Sequence, residues 1–91
     1  MVKVILPTIL GKTVDDEREI IVPASTIKEV LVHLVRRYGE PLKHRLFDAD
    51  NQPKRALNYY VNGKNAHFLN ELATPLKATD ELVILPRASG G

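Results

Sequence analysis

Residues 26–39, TIKEVLVHLVRRYG, decide the fold. Thr26 and Glu29 have the spacing of a capping box, in which a hydroxyl and a carboxylate each cover a free amide at a helix start. Apolar residues then recur at Ile27, Val30, Leu31, Leu34, Val35 and Tyr38. That is the i, i+3, i+4, i+7 rhythm of a helix with one apolar stripe. Gly39 supplies the left-handed C-terminal cap and Pro41 forbids continuation. The spacing predicts one amphipathic helix, whose stripe needs an apolar surface to cover.

Strand-like runs lie on both sides of it. Upstream, Val2-Lys3-Val4-Ile5-Leu6 reads as a strand closed by Pro7, and residues 18–22 as a second β-branched run. Between them residues 11–17 read as a polar turn with an acidic cluster at Asp15, Asp16 and Glu17, so the two runs suggest an antiparallel hairpin. Downstream, residues 41–55 read as a short turn and a loop around Leu42, Leu46 and Phe47. Leu57–Val61 is a third strand, Asn62-Gly63 is a hairpin signal, and residues 66–69 are expected as the short returning strand. Residues 71–79 read as a loop pinned by Pro75, with Leu76 inward. Leu82-Val83-Ile84-Leu85 is an unbroken apolar run of the kind a central strand shows, ended by Pro86.

The order β-β-α-β-β-β implies an α+β domain of two layers, with one helix covering one sheet face. If the first and last strands lie side by side at the centre, the architecture is a β-grasp: a mixed sheet of four to five strands on one main helix. Residues 1–86 would form that domain and residues 87–91 a flexible, exposed tail. Alternation along the strands points Val4, Leu6, Tyr59, Leu82 and Ile84 toward the helix. It leaves Ile5, Pro7, Tyr60, Val83 and Leu85 outward, an uncovered apolar patch of the kind that marks a docking surface.

Composition excludes several chemistries. The chain has 91 residues, a formal charge of +2 and no cysteine. A disulfide framework, a thiolate zinc site and a cysteine nucleophile are therefore ruled out. The charge is too small to indicate a nucleic-acid partner. No apolar run approaches a membrane span and no signal-peptide pattern opens the chain, so the expected compartment is the cytoplasm. His33, His44 and His67 lack metal-ligand spacing, and no metal is expected. The basic pairs Arg36-Arg37, Lys43-His44-Arg45 and Lys54-Arg55 are read as solvated faces, interspersed as they are with acids. There is no phosphate-cradling glycine loop and no evident pair of catalytic carboxylates.

The sequence closes on Arg87-Ala88-Ser89-Gly90-Gly91. Glycine has no side chain to clash and tolerates backbone angles closed to other residues. A terminal diglycine can thread a narrow channel and deliver its α-carboxylate into another protein's active site. The reacting group would be the Gly91 carboxylate, with Arg87, Ala88, Ser89 and Gly90 as the threaded segment.

Several stretches together resemble the MoaD/ThiS family of ubiquitin-like sulfur carriers. They are VKVILPTIL at residues 2–10, NYYVNG at 58–63, TPLK at 74–77 and DELVILP at 80–86, closed by Gly90-Gly91. PTIL, YVN and ILP followed by three residues and the diglycine look most like the branch that supplies sulfur for cysteine synthesis. Two positions depart from the family's habit: Thr79 stands where glycine is frequent, and the often glycine-bearing loop at residues 13–17 is acidic here.

The resemblance implies a carrier and not an enzyme, with no cofactor bound to it. A partner, an E1-like adenylating enzyme, uses ATP to convert the Gly91 carboxylate into an acyl-adenylate, and a sulfur source then replaces AMP to leave a thiocarboxylate. A sulfur-accepting synthase follows, either cysteine-synthase-like or the large subunit of molybdopterin synthase. Thiamin and thiolated tRNA are further possible products. Two other readings remain open at this point: a modifier joined through Gly91 to lysines of target proteins, and a β-grasp adaptor whose diglycine is incidental.

Overall fold

A computed structural model of the chain describes residues 1–87. The main helix, α1, spans Ile27–Tyr38. Thr26 caps it, its hydroxyl oxygen accepting from the Glu29 amide at 3.2 Å. The Glu29 carboxylate accepts from the hydroxyls of Ser25 and Thr26. Arg36 and Arg37 fall in the last turn, where cations complement the helix dipole. Gly39 ends the helix at φ +85°, its amide bonded to the Val35 carbonyl at 2.7 Å. Ile27, Val30, Leu31 and Leu34 are fully buried, as the spacing predicts.

The sheet has five strands: β1 (Val2–Ile5), β2 (Glu19–Val22), β3 (Leu57–Val61), β4 (Lys64–Asn65) and β5 (Glu81–Pro86). Their order is β2-β1-β5-β3-β4. β1 and β5 run parallel at the centre, while β1–β2, β3–β5 and β3–β4 are antiparallel. This is the mixed β-grasp sheet that two apolar runs near the chain's ends imply. Val2, Val4, Ile20, Val22, Leu57, Tyr59, Val61, Leu82 and Ile84 form the inner face and share one core with α1.

Three expectations fail, each for a local reason. α1 does stop before Pro41, but the turn and loop expected over residues 41–55 begins instead as a second helix, α2, over Glu40–Leu46 with Pro41 in its first turn. Proline suits a first helical turn, where its missing N–H would be unpaired anyway. Leu42 and Leu46, one turn apart, are fully buried. The polar turn at residues 11–17 belongs partly to a 3-10 segment, Thr8–Val14, kinked at Gly11 and burying Leu10 and Val14. The returning strand after Asn62-Gly63 is Lys64–Asn65, and Ala66–Phe68 is a 3-10 turn instead. Asn62 and Gly63 both take positive φ, 50° and 85°, so the hairpin closes in two residues and pairing starts earlier than expected. Leu76 is buried, as expected.

Candidate functional site

The sheet face away from α1 carries the side chains that alternation sends outward. Val83 lies at its centre, beside Ile5 on β1 and Tyr60 on β3. All three are half-buried, and together they make an apolar row across three strands. The neighbouring row toward the start of β5 is mixed: Lys3 lies between Glu81 and exposed Ile21, and its Nζ is 3.7 Å from Glu81 and 3.5 Å from Glu19, the β2 partner of Ile5. In the other direction stands Leu85, 42% exposed and opposite Asn58. The apolar surface therefore runs along β5 toward the tail.

Pro7 does not join it. The strand stops at Ile5, and Pro7 becomes the capping residue of the 3-10 segment, its carbonyl accepting from the Leu10 amide at 3.1 Å. Strand alternation no longer applies there, and Pro7 is buried.

The root of the tail is held in place. Arg87 is exposed, and its amide donates to the Ala56 carbonyl at 2.7 Å. Ala88, Ser89, Gly90 and Gly91, expected to thread and, at Gly91, to react, lie outside the described residues.

A polar clasp fixes the other end of β5. Asn62 Nδ2 donates to Asp80 Oδ1 at 2.9 Å, and Asn62 Oδ1 accepts from the Glu81 amide at 3.0 Å. Asp80 Oδ2 accepts from the Lys77 amide at 2.8 Å. The bonds from Lys77 and Asn62 lower the Asp80 pKa below its ordinary value. Sequence reading passed over this clasp, because a hairpin Asn and a loop Asp eighteen residues apart carry no shared pattern.

Both departures from the family's glycines have structural counterparts. Thr79 is not among the positive-φ residues, so its position does not need glycine. Asp15 and Asp16 take φ of 53° and 59°, left-handed angles that Asp tolerates better than most residues. Glu17 then ties this loop to α1, accepting from Tyr38 Oη at 3.0 Å and pairing with Arg37 at 3.3 Å.

The basic pairs do not form one surface. Arg37 is paired with Glu17, and the Arg45 guanidinium donates to the Ile9 carbonyl. Arg36 and Lys43 border a groove between the two helices, whereas Lys54 and Arg55 line a separate cleft beside β3. His44 and His67 each lie near a carboxylate, those of Glu40 and Glu71. Among the described residues no cluster of three or more His, Asp or Glu side chains is placed to hold a metal ion. No helix among them is long and apolar enough to cross a membrane.

A β-grasp sheet with one uncovered apolar face leading to a pinned tail root defines a ubiquitin-like carrier. The ThiS family matches residues 4–91, and the chain belongs to that family. A curated relative from Archaeoglobus fulgidus, named "Putative sulfur carrier protein", is 26% identical over 90 residues, covering 99% of this chain and 98% of the relative. Among solved structures, a chain of the Amycolatopsis orientalis BexX/CysO complex superposes with a TM-score of 0.86 at 31% identity, both chains covered in full. Mycobacterium tuberculosis CysO gives 0.85 at 29% identity, covering 97% of this chain and 100% of CysO. Small archaeal modifier protein 1 from Methanosarcina acetivorans gives 0.84 at 31% identity, covering 99% and 95%. The protein is a ubiquitin-like sulfur carrier of the ThiS/MoaD type.

Proposed function

We propose that this carrier works through a thiocarboxylate on Gly91. An E1-like activating enzyme binds the Ile5–Val83–Tyr60 row and Leu85, and draws residues 87–90 into its channel. A Gly91 carboxylate oxygen attacks the α-phosphorus of ATP and pyrophosphate leaves, giving an acyl-adenylate. A sulfide equivalent attacks the acyl carbon and AMP leaves, carrying off the oxygen that the phosphoryl group had trapped. The bound sulfur then passes to a synthase in the cytoplasm. Cysteine formation is the favoured destination, supported by the likeness to CysO chains, and molybdopterin formation comes next. ATP and the sulfur source belong to the partner; the carrier itself binds no cofactor.

The observation that carries this reading is the path of β5. It leads from the apolar row through exposed Leu85 to Arg87, whose bond to Ala56 fixes where the tail leaves the domain. A partner seated on the face meets the tail at one defined place. ATP–pyrophosphate exchange tests the first step. Labelled pyrophosphate should enter ATP only when enzyme and carrier are both present, and truncation after Ser89 should abolish it. Undiminished exchange with the truncated chain would overturn the proposal.

A second reading draws on the likeness to small archaeal modifier protein 1. In it a lysine ε-amine, and not sulfide, displaces AMP and forms an isopeptide bond through Gly91. Target proteins bearing the chain on lysine, found in cells and lost with Gly91, would support conjugation as a further use of the same activated tail.

A further inference from the structure

Asn62 is followed by Gly63, and no other asparagine of the chain precedes a glycine. The pair turns the β3–β4 hairpin with positive φ at both residues, and both are exposed. An asparagine side chain can react with the backbone nitrogen of the residue that follows it. Glycine in that place carries no Cβ to hinder the approach and leaves the backbone most free to reach the angles the reaction needs. The composition of this turn therefore favours attack on the Asn62 side chain.

The clasp to β5 opposes it. Asn62 Nδ2 donates to Asp80 Oδ1 at 2.9 Å, Asn62 Oδ1 accepts from the Glu81 amide at 3.0 Å, and the Asn62 amide donates to the Glu81 carbonyl at 2.9 Å. An ionised carboxylate only accepts and a backbone N–H only donates, so these bonds hold the side chain in one orientation. Ring closure requires Cγ to swing away from β5 to the Gly63 nitrogen, which breaks both side-chain bonds. The Glu81 N–H also draws electron density from the Asn62 side-chain carbonyl and makes Cγ more electrophilic. That polarisation helps only when the nitrogen is within reach, so position outweighs it while the clasp is closed.

We propose that Asn62-Gly63 is a deamidation site that the clasp holds unreactive, and that reaction there unfastens the start of β5. When the clasp opens, the Gly63 nitrogen loses its proton to water and attacks Asn62 Cγ. The Cγ–Nδ2 bond breaks and ammonia leaves, giving a cyclic succinimide. Water then opens the ring. Attack at Cγ gives aspartate at position 62, and attack at the backbone carbonyl carbon gives isoaspartate, with an extra methylene in the main chain. Either product puts a carboxylate where the amide donated to Asp80, so attraction becomes repulsion. Asp80 and Glu81 are also where β5 joins β1, through the Lys3 amide, which donates to the Asp80 carbonyl at 3.2 Å, and through the pairing of Lys3 with Glu81. Loss of the clasp therefore loosens β5 from both neighbours at that end. None of these steps involves the tail or its chemistry.

Timed incubation at neutral pH tests it, with the wild-type chain kept folded in one sample and unfolded in guanidinium chloride in another. Peptide mass spectrometry follows, at each asparagine, the mass gain of water minus ammonia. Asn62 should convert roughly tenfold faster in the unfolded chain, the scale on which a hydrogen bond to a charged group suppresses local opening. Asn51, Asn58, Asn65 and Asn70, each followed by a larger residue, should convert far more slowly in both samples. The folded Asp80→Ala chain should convert Asn62 severalfold faster than the folded wild type. Asn62→Asp, which carries the side chain of one product, should melt below the wild type at neutral pH and shift the amide signals of Lys3, Lys77 and Glu81. Its deficit should shrink on acidification, as the facing carboxyls protonate and cease to repel. Equal conversion of Asn62 in the folded and unfolded wild type, wild-type conversion in folded Asp80→Ala, or wild-type melting of Asn62→Asp would each overturn the proposal. If Asp80→Ala does not fold, the comparison of folded with unfolded wild type and the melting of Asn62→Asp decide it.

Discussion

Tyr60 of β3 and Val83 of β5 are cross-strand partners on the uncovered face of the sheet. Ile5 takes the opposite flank of Val83, so the row bridges the central parallel pair and the antiparallel β3. A tyrosine there offers a large, rigid area with a polar tip, the profile of an interface anchor. Tyr60→Ala should therefore weaken binding to the activating enzyme by about 1–3 kcal/mol. Leu85→Asp should weaken it comparably, by placing a charge in a desolvated contact. Both variants should stay folded, because neither side chain enters the core. Calorimetric titration alongside thermal melting checks this. Wild-type affinity in both would move the docking surface elsewhere, and unfolding of either would contradict the assignment of the faces.

The clasp between Asn62 and Asp80 has a pH signature. The folded protein holds the Asp80 carboxyl below its ordinary value of 3.8, chiefly through the Lys77 amide and then the Asn62 amide. The fold thus favours the ionised form. Its contribution to stability is fully present above the unfolded value and is lost as pH falls through the lower, folded value. Asn62→Ala should raise the Asp80 pKa toward normal and shrink that acid-side loss. Carboxyl-carbon NMR titration of both proteins measures it. An Asp80 pKa unmoved by the substitution would show that the Asn62 bond contributes nothing.

Leu46 reports on the second helix. It is fully buried in the core shared by α1 and the sheet. Leu46→Ala should cost about 2–5 kcal/mol, the range for removing a buried leucine side chain. Chemical denaturation decides it. A loss below about 0.5 kcal/mol, typical of exposed positions, would mean that residues 40–46 do not pack as described.

The sequence makes the long-range frame legible because its signals are strongly periodic. The α1 stripe, the alternation of Tyr59 and Tyr60, and the apolar runs of β1 and β5 each fix a face. Short elements are less legible. Leu42 and Leu46 share a face, but two residues among charges make a weak stripe, and Pro41 reads equally well as a stop or a start. Val14 is hidden in the same way by Asp15, Asp16 and Glu17. The docking row follows from alternation up to Pro7, where the strand has already ended. The clasp depends on residues brought together only by the tertiary fold, Asn62 after β3 and Asp80 before β5.

Gly90 separates fold from transfer. It comes after the last strand, β5, which ends at Pro86, so Gly90→Ala should leave the melting temperature unchanged. A methyl group there restricts the backbone and widens the tail where a channel must enclose it. Adenylation should slow markedly, as followed by pyrophosphate release. Normal rates would contradict the threading of the tail.

The most direct measurement is the intact mass of the protein after incubation with a family activating enzyme, ATP and sulfide. Exchange of one Gly91 carboxylate oxygen for sulfur through the acyl intermediate should add about 16 Da, located by fragmentation to the last residue. The same treatment without ATP should add nothing. An unchanged mass under conditions that thiolate another member of the family would contradict the account.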